Sequence, residues 1–128
     1  MSNPKDLKYS KEHEWVRMVS DKEAVIGITA FATESLGDVV FLNLPAVGAE
    51  VKQFARAGEV ESVKAVSDIF SPVSGKVVER NEAAIKSPEK VNEDPFGRGW
   101  LVKLAIKDKA ELNKLMSAKE YDEFTSTK

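Results

Sequence analysis

Short apolar-rich runs bounded by turn formers dominate the chain, beginning with Glu14-Trp15-Val16-Arg17-Met18-Val19 and Glu23-Ala24-Val25-Ile26-Gly27-Ile28 on either side of Ser20-Asp21-Lys22. The pair predicts an opening β-hairpin. Thr29 can then cap a short helix over 30–36, and Gly37 can end it, because glycine takes the left-handed conformation that a helix C-terminus often needs. Asp38 to Leu44 follows as a third strand. Pro45 stops it for want of an amide hydrogen, and Gly48 lets the chain turn into a strand over Glu50 to Phe54. Turn continues to follow strand at short intervals through Gly58 to Ile69, Pro72 to Gly75 and Lys76 to Arg80. This spacing belongs to a small sandwich or barrel rather than to a parallel sheet with crossover helices.

The pattern loosens over Asn81 to Asn92, which reads as a loop with one helical turn, and over the turn-rich Asp94 to Gly99. Trp100 to Ile106 returns as a strand. Asp108 with Glu111, and Ser117 with Glu120, have capping-box spacing, so two short helices are expected to start near residues 109 and 118. Leu112, Leu115, Met116, Tyr121 and Phe124 would be their buried faces. A faint internal echo sets Val47-Gly48-Ala49-Glu50-Val51 against Val73-Ser74-Gly75-Lys76-Val77.

Composition narrows the chemistry. The 128 residues match the size of one domain, 1–128, and need no covalent staple. With no cysteine and one histidine, disulfides, thiolate metal sites, cysteine nucleophiles and His-rich metal sites within one chain are ruled out. Nineteen Lys and Arg against 21 Asp and Glu give a net charge of -2, which offers no drive toward nucleic acid. The first 15 residues lack the apolar stretch of a secretory signal, and Val39 to Leu42 is too short to span a bilayer, so no membrane and a cytoplasmic setting are expected.

Three candidate sites have bland rivals. Gly97 and Gly99 extend to no phosphate-binding fingerprint and read as turn glycines. His13 between Glu12 and Glu14 could serve as a general base, but a hydrogen-bonded edge histidine is the stronger reading. Ser62 and Lys64 share a strand face, yet nothing nearby supplies an oxyanion hole for a Ser-Lys dyad. The segment Glu61 to Val77 stands apart. A turn centred on Lys64 and Ala65 would pair Val63 with Val66, Ser62 with Ser67, Glu61 with Asp68 and Val60 with Ile69. Two carboxylates would then face each other, an arrangement that costs stability and needs another purpose.

That segment, ESVKAVSDIFSPVSGKV, resembles the lipoyl-attachment hairpin of the glycine cleavage H-protein family, with Lys64 at the lipoylated position. Other blocks follow in family order: His13-Glu14-Trp15, Gly27-Ile28-Thr29, Leu36-Gly37-Asp38, Leu44-Pro45 with Gly48, and Asn92-Glu93-Asp94-Pro95 running into Gly99-Trp100. Thr33 departs from the pattern, since the family often has Gln after the alanine corresponding to Ala32. The resemblance implies a mainly β, flattened barrel or sandwich of the lipoyl/biotinyl-carrier (hammerhead) type, with two quasi-symmetric halves, short flanking helices and a C-terminal helical segment.

It also implies a non-catalytic shuttle whose cofactor is lipoate, covalently bound as lipoyl-lysine. The implied partners are a pyridoxal-phosphate glycine decarboxylase, a tetrahydrofolate-dependent aminomethyltransferase, a flavin dihydrolipoamide dehydrogenase, and the lipoate ligase or lipoyltransferase that loads it. Glu14, Ser67 and Asp68 are the implied contacts of the docked arm, and Glu61 is a candidate for recognition by the ligase. Lysine suits the role because its amine can become a neutral nucleophile whereas arginine stays protonated. About twelve bonds to the far sulfur give the arm a reach of roughly 14 Å. The rivals are a lipoyl-relay protein of the same fold, a biotin carrier, and a small hydrolase using His13. Biotin carriers usually flank the lysine with methionines, where Val63 and Ala65 stand here.

Overall fold

The computed structural model describes residues 2–126. In chain order the strands are β1 (Lys8–Tyr9), β2 (Glu14–Met18), β3 (Glu23–Ile28), β4 (Val39–Asn43), β5 (Glu50–Val51), β6 (Arg56–Ser62), β7 (Val66–Phe70), β8 (Gly75–Arg80) and β9 (Val102–Ile106). The helices are α1 (Ala30–Leu36), α2 (Glu82–Lys86), α3 (Glu89–Glu93) and α4 (Ala118–Ser126), with a 3-10 turn at Lys109–Lys114. The strands form two antiparallel sheets, one of six in the order β1-β2-β3-β9-β8-β5 and one of three in the order β4-β6-β7. The expected barrel or sandwich is thus a two-sheet body without a closed barrel. Among the described residues no helix is long and apolar enough to cross a membrane.

The core lies between the sheets. Val16, Ile26 and Leu104 meet Leu42, Val60 and Ile69 there, each almost fully removed from water. A second cluster gathers Leu7, Tyr9, Trp15 and Tyr121 under the C-terminal helix. Trp15 has no exposed surface, and its indole N–H donates to the Ile28 and Pro95 carbonyls at 3.0 Å each. Its ring lies directly over Gly27, where an added Cβ would stand 2.5 Å from Cζ2. Gly27→Ala is therefore expected to lower stability by about 2 kcal/mol through overpacking, measurable by urea unfolding.

Several local expectations hold for the stated reasons. Thr29 accepts from the Ala32 amide and starts α1, while Gly37, at φ 80°, ends it with its N–H on the Thr33 carbonyl. Ser117 and Glu120 form a reciprocal capping box, at 2.8 and 3.2 Å. The echoed segments prove to be neighbours, since Glu50 pairs with Lys76 and Val51 with Gly75.

Other details differ. The strand expected over 50–54 stops at Val51, because the Ala55 amide bonds the Lys52 carbonyl and Phe54 turns the chain at φ 64°. The region over 81–92 carries two helices rather than one turn. Asn81 caps the first of them through the Ala84 amide. Glu111 does not close a capping box with Asp108. Its carboxylate instead accepts from the Ser74 amide and hydroxyl, both at 2.7 Å, tying the C-terminal segment to the start of β8.

Candidate functional site

The hairpin β6–β7 carries the candidate lysine at its tip, and its register corrects the expectation. Glu61 pairs with Val66, Val60 with Ser67, Glu59 with Asp68 and Gly58 with Ile69. The turn is longer than assumed because Ser62 folds it from within. Its N–H donates to the Ala65 carbonyl at 2.8 Å, and its hydroxyl oxygen accepts from the Lys64 and Ala65 amides, each at 3.1 Å. A serine side chain that satisfies turn amides replaces the glycine chemistry of tighter hairpins.

Glu61 therefore faces Val66, not Asp68. The opposed carboxylates are Glu59 and Asp68, and Arg56 lies between them, 3.2 Å from one and 2.9 Å from the other. The pairing shifts by two residues, so each side chain keeps its expected face. The like-charge cost inferred for Glu61 is absent at that position. Ser62 ends β6 with its hydroxyl bonded to backbone groups of the turn, donating to the Ala65 carbonyl at 3.2 Å rather than to the Lys64 amine, which argues against a Ser-Lys dyad.

Lys64 is solvent-exposed and makes no ion pair among the described residues. Val63 and Val66 beside it are also exposed. Its stem passes over Gly37, where a Cβ would stand 3.3 Å from Lys64 Cε. An exposed primary amine on a hydrogen-bonded loop can enter another protein's active site without unfolding the sheet behind it. Those properties suit covalent acylation of the amine.

Of the expected arm contacts, Asp68 is exposed and paired with Arg56, and Ser67 is partly buried opposite Val60. Glu14 is different. It opens β2 at 2 % exposure, and its carboxylate accepts from the Ser10 hydroxyl at 2.5 Å and from the Phe70 amide at 3.2 Å. It thereby bridges the six-stranded sheet to the end of β7. Burial is the main force raising its pKa to about 8; the two hydrogen bonds oppose that rise and the nearby Glu12 charge adds to it.

His13, at φ 70°, has Nδ1 2.7 Å from the Tyr121 hydroxyl, which lies 2.8 Å from Thr29 Oγ1. Its ring packs against Phe31 with centroids 4.6 Å apart. Burial raises the Tyr121 pKa to about 12, keeping the phenol protonated as a hydrogen-bonding member of this cluster. These contacts support the structural reading of His13 over the general base. Sequence reasoning missed Arg56, Gly37 and Asn92 as neighbours of the site. Gly37 was legible as a helix end and within a family block, neither of which places it beneath the Lys64 stem, and nothing in the sequence pattern draws Arg56 or Asn92 toward Lys64.

A two-sheet body with a lysine lifted on a compact loop fits the class of carrier domains, which present a covalently held group to the active sites of other proteins. Comparison with known proteins makes the class specific. Residues 7–128 match the family model described as Glycine cleavage H-protein. The chain is 56% identical over 119 residues to the glycine cleavage system H protein of Carboxydothermus hydrogenoformans, covering 93% of this chain and 91% of that one. It is 52% identical over 125 residues to that of Bacillus subtilis, covering 98% of each. The crystal structure of a glycine cleavage system H protein from Mycobacterium marinum superposes with a TM-score of 0.87 at 39% identity, over 97% of this chain and 99% of the other. The chain belongs to the glycine cleavage H-protein family. It is a carrier subunit of the glycine cleavage system rather than one of its enzymes.

Proposed function

We propose that Lys64 is the lipoylated residue, and that through it this chain shuttles an aminomethyl group from glycine decarboxylase to the aminomethyltransferase, with reoxidation by dihydrolipoamide dehydrogenase. The observation that carries the reading is the placement of Lys64 on the exposed, Ser62-folded loop of β6–β7. When bound, the lipoyl group supplies the redox-active disulfide that takes up and hands on the aminomethyl group, chemistry unavailable to a chain without cysteine. The protein's own part is presentation. The folded loop keeps the attachment point outside the body, and tethering converts a free search into a confined one at high effective concentration.

Glu14, Ser67 and Asp68 are the residues proposed to shelter the arm between visits. Glu14 lies at the junction of the sheets, with Ser67 and Asp68 on the adjoining strand. Glu61, exposed on the outer face near the tip, is proposed as the charge that the lipoate ligase or lipoyltransferase reads. The relatives named above are bacterial, and the reading extends to a cytoplasmic setting shared with those enzymes.

The test is to incubate the protein with lipoate ligase, ATP and lipoate, map the modified peptide, and then supply the product to glycine decarboxylase with glycine. Modification at Lys64 alone, followed by carrier-dependent release of carbon dioxide, is the expected result. Lipoate on any other lysine overturns the assignment. A Lys64-lipoylated protein that supports no release would instead be a lipoyl-relay protein.

A further inference from the structure

The loop that bears Lys64 rests on the joint between α1 and β4, and that joint is braced from the side. The Val63 amide donates to the Asp38 carbonyl at 3.0 Å, while the Lys64 stem passes over Gly37. Asn92, on α3, reaches both ends of the same joint. Its side-chain amide donates to the Gly37 carbonyl at 2.9 Å, and its carbonyl oxygen accepts from the Val39 amide at 2.8 Å. Only one orientation of the Asn92 amide satisfies both partners, because the flipped form would set donor against donor and acceptor against acceptor. The neighbouring Val91 has no exposed surface, which anchors α3 and makes Asn92 a fixed bracket.

We infer that Asn92 is a positioning residue for Lys64: by clamping Gly37 and Val39 it holds the Asp38 carbonyl and the glycine surface on which the lysine loop docks. Asn92 acts at one remove and touches no reacting atom. Its contribution is preorganisation, sparing an enzyme that must grip the loop the cost of ordering it. An isosteric aspartate cannot do this, since it has no donor for the Gly37 carbonyl and sets a carboxylate oxygen against it. The part of the inference that concerns modification rests on the reading of Lys64 as the lipoyl site. The part that concerns docking of the loop does not.

The test compares the full chain with Asn92→Ala and Asn92→Asp by amide hydrogen exchange and by lipoate ligase kinetics. Exchange at Val63 is expected to quicken at least tenfold in both variants. The Ser62 amide, whose bond to Ala65 lies inside the hairpin, and the amides of Ile26 and Leu104 in the central sheet should keep parental protection. The ligase KM for the protein is expected to rise about tenfold with kcat unchanged, a split that general loss of stability would not produce. Parental protection at Val63, or an unchanged KM, overturns the inference. So does loss of protection throughout the sheet or failure to fold, because Asn92 would then hold the body rather than the loop. If the parent protein takes up no lipoate at all, it is the reading of Lys64 that fails, and the exchange at Val63 still decides whether Asn92 docks the loop.

Discussion

Lys64→Arg is expected to fold as the parent does and to accept no lipoyl group. The tip is shaped by Ser62, whose amide and hydroxyl bond the backbone of Lys64 and Ala65, and among the described residues no hydrogen bond or ion pair uses the Lys64 side chain. Arginine keeps the cation and the aliphatic stem, so the loop loses nothing that holds it. What disappears is the chemistry. A guanidinium stays protonated at any pH the protein survives and offers no neutral amine to attack an activated acyl group. Intact mass after ligase treatment should show the parent heavier by one lipoyl group and the variant unchanged, with thermal midpoints within about a degree of each other, as for a conservative surface change. Residual lipoylation of the variant would place the site elsewhere.

Glu14→Gln is expected to remove most of a decline in stability between about pH 4.5 and pH 8. The folded Glu14 holds its proton to about pH 8, whereas the unfolded residue releases it near 4.5, the ordinary value for a glutamate. Across that window the folded chain binds more protons than the unfolded one, so stability falls as pH rises. Below the window the neutral acid is fully compatible with burial. Above it, a buried carboxylate must be tolerated, at a cost of a few kcal/mol by the ~1.4 kcal/mol per pKa unit conversion. Glutamine imitates the neutral acid, donating toward Ser10 and accepting from Phe70. Urea unfolding from pH 5 to pH 9 should show the variant near the parent at the acidic end and clearly more stable at the alkaline end. Parallel profiles would mean that Glu14 is ionised in its socket.

The sequence made the local elements legible wherever a residue acts on its own neighbours. Thr29 and Gly37 bound α1, Pro45 and Gly48 break the chain, and Ser117 with Glu120 cap α4, all through contacts within a few residues. What escaped were partnerships settled by the tertiary fold. Glu111 has the spacing of a capping residue, but Ser74 offers it two donors from across the molecule. The lysine hairpin is legible only through the family resemblance, and its register is not, because turn propensity says nothing of a serine that satisfies two amides at once. Glu14 was named, but its burial was not foreseeable: a glutamate at a strand's edge gives no sign that a second sheet will close over it. Asn92 belongs to a family block but shows no role in the sequence, since its bonds reach back more than fifty positions.

The place of β9 bears on how the molecule is made. This strand comes late in the chain, yet it lies between β3 and β8 and hydrogen-bonds both. While a ribosome is still adding residues before Val102, the β2–β3 hairpin and the β5–β8 pair have no strand to join them, and apolar residues such as Ile26 and Val77 lack Leu104 to cover them. The β6–β7 hairpin, whose contacts are local, can form during that interval. Completion of the sheet must wait for β9, so from the synthesis of β8 until Ile106 has emerged the largest sheet exists as two separate parts. Such non-local closure slows folding and prolongs exposure of unpaired edges to aggregation. A ligase that recognises only the hairpin could therefore meet its target before the body exists, whereas one that also reads the joint beneath Lys64 must wait for the finished protein.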